Sequence, residues 1–268
     1  MRQQPHRLPN APLVEALVEL RWALKPGPNG GQIDPAHPLY VGNLFQAIRE
    51  NYPFQERLPV AEVPDEMAPY NAKHRFRASA DGWPLVQAGP GIVSYNATSD
   101  YDWDKFRASA IDLKGHLDAA YAAVTSDASP PDYRHLQLRY ISAIKLESGI
   151  DPLGFLRERL GTQITLPGPV VASAAGPSVA TSVQVSYPLA FNGSIGTVKL
   201  GLGAKDERPA MILDISVTAS VEGVSGKDLD FSDWLSKAHE ASEEWFFSFV
   251  EGSLLREFEG GSDHADRT

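Results

Sequence analysis

The chain contains no cysteine, which excludes disulfides, thiolate metal centres and cysteine nucleophiles. No apolar run approaches the ~18 residues that span a membrane as a helix. Arg2 and Arg7 are not followed by an apolar segment, and Glu15 and Glu19 interrupt residues 13–20. The sequence therefore predicts no secretory leader, no membrane association and a cytoplasmic location. Basic residues are in the minority, 24 against 34 acids, for a formal net charge of −10. Sequence-independent nucleic-acid binding needs Lys and Arg to neutralise phosphates, so no nucleic-acid partner is expected.

Motifs of nucleotide and metal chemistry are also missing. Gly89-Pro90-Gly91 and Gly201-Leu202-Gly203 lack a third glycine, and no Gly-Lys-Ser/Thr follows either. A dinucleotide or phosphate loop needs that backbone at a helix N-terminus. There is no His-Glu-x-x-His. The pairs Asp112/His116 and His239/Glu243 sit four apart, as ion pairs on solvated helix faces commonly do. Gly223-Val224-Ser225-Gly226 has the wrong spacing for a nucleophile elbow. A Ser-His-Asp triad leaves no local signature to read. The expectation is no metal, no cofactor and no assigned catalytic residue.

What is present is a repeated pattern. Leu20-Arg21-Trp22 is followed by Ile33-Asp34-Pro35, and Leu138-Arg139-Tyr140 by Ile150-Asp151-Pro152, at nearly the same internal spacing. Asp102-Trp103 is echoed by Asp233-Trp234. Such self-similarity points to two copies of one unit.

Element order supports this. Residues 13–24 alternate, with Val14, Ala16, Val18, Leu20, Trp22 and Leu24 on one face, which predicts a strand. Residues 26–31 are a loop. Asp34-Pro35 offers a helix N-cap, with a start nearer Pro38 as the alternative, and Pro53 stops that helix. Residues 54–72 read as irregular, and 73–80, 84–88 and 91–97 as antiparallel strands. A long helix follows from Ser99, its stripe running Trp103, Phe106, Ala110, Leu113, Leu117, Ala120, Val124. In the second half, 134–147 alternate as a strand and Asp151-Pro152 opens a short helix. Residues 166–178 form a loop, and strands cover 180–190, 194–203 and 210–220. Ser232 caps a last helix running to about Phe258, and 259–268 form a disordered tail.

The predicted fold is α+β: two pseudo-repeats, about 10–125 and 134–258, each strand–helix–three or more antiparallel strands–long helix. They form a single unit over 1–258, a curved antiparallel sheet with long helices on one face. By analogy this looks TATA-binding-like or helix-grip-like, which carries no function by itself. Trp22, Tyr140, Trp103 and Trp245 are expected in the core. Trp245-Phe246-Phe247-Ser248-Phe249 places aromatics around more than one helix face, so that helix is buried on several sides or forms a subunit interface.

The segment Asn10-Ala11-Pro12-Leu13-Val14-Glu15-Ala16 with Glu19-Leu20-Arg21-Trp22, the strand Leu138-Arg139-Tyr140-Ile141, and a C-terminal helix holding Trp234, His239 and Phe246 resemble a sporadically distributed bacterial family with no assigned activity. The resemblance covers nearly the whole chain. It implies a patchily inherited bacterial accessory protein, a pattern compatible with mobile elements or defence islands, and brings no catalytic residues.

If Leu20 and Trp22 face the core with Leu138 and Tyr140, the pleat turns Arg21 and Arg139 to the opposite face. Glu15 and Glu19 join Arg21 there, and Gln137 and Lys145 join Arg139. Arginine suits bidentate recognition of carboxylate or phosphate. The same residues could instead be structural ion pairs on a solvated face. Three functions stay open: a non-catalytic binding or interaction protein, a regulatory or antitoxin-like subunit of a neighbouring effector, and an enzyme of unrecognised class. The partner would be another protein or a small anionic ligand, and a homodimer is compatible with the sequence.

Overall fold

A computed structural model describes residues 8–261 apart from 28, 29, 99, 148, 177, 179 and 221–229. The Gly223–Gly226 motif and tail residues 262–268 lie outside the described residues. The fold is α+β, built on one nine-stranded antiparallel sheet.

In chain order the elements are β1 (Leu13–Trp22), β2 (Lys25–Pro26), β3 (Gln32–Ile33), α1 (His37–Ile48), β4 (Phe54–Arg57), β5 (His74–Arg77), β6 (Leu85–Gly89), β7 (Ile92–Ala97) and α2 (Trp103–Ala122). Then come β8 (Tyr133–Lys145), α3 (Pro152–Arg159), α4 (Gly168–Ala172), β9 (Ser182–Pro188), β10 (Ser194–Lys205), β11 (Arg208–Ser220), α5 (Phe231–Val250) and α6 (Ser253–Phe258). The sheet order is β4-β5-β6-β7-β1-β8-β11-β10-β9. Strand β1 lies antiparallel to β8, pairing Leu17 with Arg139 and Glu19 with Gln137.

The period-two reading of β1 gives most of its buried face: Ala16, Val18, Leu20 and Trp22 are fully buried and alternate with half-buried residues, whereas Val14 is exposed and Leu24 lies beyond the strand. Their side chains form one core cluster with Tyr40 and Leu44 of α1, Phe106 and Leu117 of α2, and Trp234 and Leu235 of α5. Helices thus cover one face of the central strands. A second cluster joins Ile144, Leu200 and Met211 of the sheet to Phe155 and Leu156 of α3, Val250, and Leu254 of α6.

Asp34 is not a helix N-cap. Helix α1 is preceded by Ala36, which has no side-chain cap bond, and the Asp34 carboxylate is buried. Its Oδ2 accepts from Trp22 Nε1 at 2.9 Å and Gly91 N at 3.2 Å, and its Oδ1 from Ala36 N and Tyr121 Oη, both at 3.1 Å. A carboxylate buried away from water requires such donors. Asp151, its sequence echo, is exposed and does cap α3, accepting from Leu153 N and Gly154 N.

Other boundaries moved for local reasons. Asp230, not Ser232, caps α5. That helix ends at Val250 because Gly252 adopts φ +100°, a conformation open to glycine, and α6 follows as a separate turn. Edge strand β4 lies within the stretch read as irregular, β2 and β3 flank the loop at 26–31, and α4 lies in the loop at 166–178. Trp103, Tyr140 and Trp245 are half-buried and pack against the core from its margin; of the four aromatics expected there only Trp22 is fully buried. Trp245 lies over the sheet at Gly196, where a Cβ would come within 2.3 Å of its ring. The core indoles are Trp22 and Trp234. Among the described residues, no helix is long and apolar enough to cross a membrane.

Asp34→Ala strands four donors and should cost roughly 3 kcal/mol or more in a denaturant titration, against about 1 kcal/mol for Tyr121→Phe, which removes one. Trp234→Ala should cost about 3–5 kcal/mol and Trp103→Ala clearly less. The reverse ranking would contradict the burial.

Candidate functional site

On β1, β8 and β11 the residues that alternate with the core are half-buried and face away from the helices. They form rows across the sheet. Ser94, Glu19, Gln137 and Thr218 occupy one row, and Asn96, Leu17, Arg139 and Ser216 the next. Arg21 lies opposite His135, and Asp214 opposite Ile141.

Arg21 and Arg139 share this face, each with its own carboxylate. Arg21 Nε donates to Glu19 Oε1 at 2.7 Å, and its guanidinium lies 5.6 Å from the Tyr70 ring centre. Arg139 forks onto Asp214, Nε to Oδ1 at 2.9 Å and Nη2 to Oδ2 at 2.6 Å. The acids are sunk and the bases reach outward: side-chain exposure is 14% for Glu19 and 12% for Asp214, against 39% and 38% for the two arginines. The Asp214 hydrogen bonds push the Arg139 pKa up against the effect of burial, with the charges of Asp214, Glu15 and Glu19 adding to them. Glu15 bonds Asn96 Nδ2 at 2.7 Å instead of Arg21, and Ser94 Oγ donates to Asn96 Oδ1.

The fold thus gathers Glu15, Glu19, Arg21, Gln137 and Arg139, and leaves Lys145 out. Lys145 is exposed at the far end of β8, opposite Ala210, roughly 20 Å along the strand from Arg139 at ~3.3 Å per residue. By the same rise, the Arg21 and Arg139 backbones are about 13 Å apart along the strands. Asp214 and His135 belong to the face and were not singled out from sequence. The alternation of β8 placed His135 in line with Gln137 and Arg139, but nothing local announced that β11 would lie beside them. Burial, then the charge of Arg21, lowers the His135 pKa.

Two histidine clusters lie elsewhere. At the start of α1, His37 Nδ1 is 2.9 Å from Asp65 Oδ2, and Lys73 Nζ donates to Asp65 Oδ1 and to the Val63 carbonyl, each at 2.5 Å. Burial alone would raise the Asp65 pKa, but hydrogen bonds and charge from Lys73 and His37 hold it below the usual range. His74 lies with its ring 6.1 Å from that of His37; burial, reinforced by His37, Arg57 and Lys73, lowers its pKa. His37 Nε2 and His74 Nδ1 are buried without a hydrogen-bond partner. Both residues border a cavity of about 280 Å³ with Val41, Phe45, Gln46 and Gln55.

Between α2, α5 and β8, Tyr101 Oη is 2.7 Å from Tyr140 Oη, which is 2.9 Å from His239 Nδ1. Trp103 stacks on the imidazole at 3.7 Å. Burial drives the His239 pKa down to about 4, so the ring is neutral, and its tautomer sets which way the Tyr140–His239 hydrogen bond runs. Asp112 and His116 are both exposed on α2. Among the described residues, no group of three or more His, Asp or Glu is arranged to hold a metal.

No protein-family model, curated protein or solved structure matches this chain.

An unfolded His239 takes up its proton near pH 6.5 and the folded one near pH 4. Between these values the unfolded state binds more protons, so stability rises with pH. The stabilisation is present above pH 6.5 and lost as pH falls to about 4, on the order of 3 kcal/mol. His74 acts in the same direction. Unfolding free energies of a His239→Phe variant should be flatter across this window; an unchanged slope would show that other groups carry it.

Proposed function

We propose that this protein is a non-catalytic binding or interaction protein, a cytoplasmic bacterial accessory whose docking surface is the helix-free sheet face around β1, β8 and β11. The observation that carries this reading is the uncovered polar face itself. Its acids lie deep and its arginines reach outward, presenting guanidinium edges above a pre-formed hydrogen-bonded floor. Arginine edges held in place by sunk carboxylates suit recognition of an acidic protein segment or small anionic ligand.

The face lies at the centre of a duplicated unit. Outward from the middle the strands run β1, β7, β6, β5 on one side, with β4 added at that edge, and β8, β11, β10, β9 on the other. A long helix follows β7 and another follows β11. Leu17 opposes Arg139 and Arg21 opposes His135, so Arg21 and Arg139 flank the Glu19–Gln137 pair symmetrically. That pair then marks a pseudo-twofold axis, in a TATA-binding-like or helix-grip-like arrangement. The Asp-Trp echo does not support the duplication. The helix caps are Asp102 and Asp230, which align Trp103 with Phe231 instead of Trp234.

A second reading, an enzyme, is favoured by one feature: the Asp65-oriented His37 beside the 280 Å³ cavity.

The test is capture of partners from a bacterial lysate, with a melting-temperature screen against small anions, using the wild type, Arg21→Glu/Arg139→Glu and Asp65→Asn. A partner or ligand should be lost at least about tenfold from the double variant, with circular dichroism checking its fold because the change leaves the sunk Glu19 and Asp214 carboxylates without their cations. Retention by the double variant would overturn the proposal. Loss confined to Asp65→Asn would move the site to the His37 cavity.

A further inference from the structure

The two edges of the sheet are built differently. Strand β4, at one edge, is charged: Glu56 is held by Arg75 and Arg77 of β5, and Arg57 pairs with Glu62. Charged edges resist pairing with another chain. Strand β9, at the other edge, reads Ser-Val-Gln-Val-Ser-Tyr-Pro and carries no charge. Every residue except Val183 is exposed, with Val185 at 42% and Tyr187 at 59%. Among the described residues no strand pairs with its outer side.

The register shows which groups are offered there. Leu202 N–H bonds the Thr181 carbonyl and Leu189 N–H bonds the Ser194 carbonyl. Odd-numbered residues therefore turn their backbone groups to β10, and Ser182, Gln184 and Ser186 turn theirs outward. The side chains of Val183, Val185 and Tyr187 lie on the helix-covered side, where Tyr187 meets Trp245 edge-on at 6.4 Å.

We infer that β9 is a homodimerisation edge, pairing antiparallel with β9 of a second copy about a twofold axis near Val185. The chemistry favours a second copy. The chain has a formal net charge of −10, so most surfaces of two copies repel, whereas β9 brings no charge to the contact. In the self-pair Val185 meets its own copy, Val183 meets Tyr187, and Gln184 meets Ser186, so apolar opposes apolar and polar opposes polar. A twofold axis perpendicular to the sheet keeps both helix layers on one side, and the two polar faces become one continuous surface. An interface of one strand pair and a small apolar ledge is at the small end of specific contacts, so the dimer should be concentration-dependent.

Light scattering after gel filtration, up to about 200 µM protein, should show a monomer–dimer equilibrium in the micromolar range. Gln184→Pro removes an outward N–H while leaving the β9–β10 ladder intact, and Val185→Lys sets like charges against each other. Each should weaken the dimer at least about tenfold with unchanged circular dichroism. Because the chain lacks cysteine, Val185→Cys should form an intermolecular disulfide under mild oxidation, and Phe54→Cys on β4 should not. A wild type that stays monomeric, a dimer that survives both β9 substitutions, or crosslinking through position 54 instead of 185 would each overturn the proposal.

Discussion

One buried carboxylate ties the first half of the molecule together. Asp34 accepts from the indole of β1, the β6–β7 turn, the entry to α1 and a tyrosine of α2. These four elements approach from different directions, and none buries its donor acceptably unless the acceptor is there. The indole it holds packs edge-on against Tyr40, Tyr121 and Tyr133. The aromatic core at this end is therefore positioned by a polar contact. A satisfied buried acceptor specifies one arrangement, because every alternative leaves donors or a charge unpaired. Gly91, at φ +76°, brings its N–H to the carboxylate from a turn that a bulkier residue would strain.

From that frame the sheet extends as a surface with two unlike sides. The helix side is apolar and closed by α1, α2, α3, α5 and α6. On the central strands the other side carries two arginine–carboxylate pairs among mostly neutral residues, in rows set by strand register. The proposed binding function and the proposed dimer are geometrically independent: the first uses the polar face at the sheet centre, the second the neutral edge at β9. They would combine, because edge pairing extends the polar face without covering it.

The histidines show how far burial reshapes chemistry in an acidic chain. His239 is kept neutral between Trp103 and Tyr140. His37 is oriented by Asp65, whose charge Lys73 balances. Both imidazoles bond polar groups inside the protein, Tyr140 and Asp65.

Periodicity made much of this legible. Alternation over 13–24 and 134–147 identified both central strands, observed at 13–22 and 133–145, and the faces of Arg21 and Arg139. A three-to-four spacing identified α2. These are local properties, since the pleat and the helical turn act over a few residues. What the tertiary structure alone decided is who meets whom. Asp34 looks like a cap because Asp-Pro is a local signal, and it becomes a core acceptor because Trp22, Gly91 and Tyr121 arrive from far along the chain. Arg139 finds Asp214, and His37 finds Asp65 and His74, through strand order and packing that leave no mark on local spacing. A sequence by itself determines which face each side chain takes; the assembled sheet determines its partner, because electrostatic and hydrogen-bond contacts form between elements whose adjacency no single segment encodes.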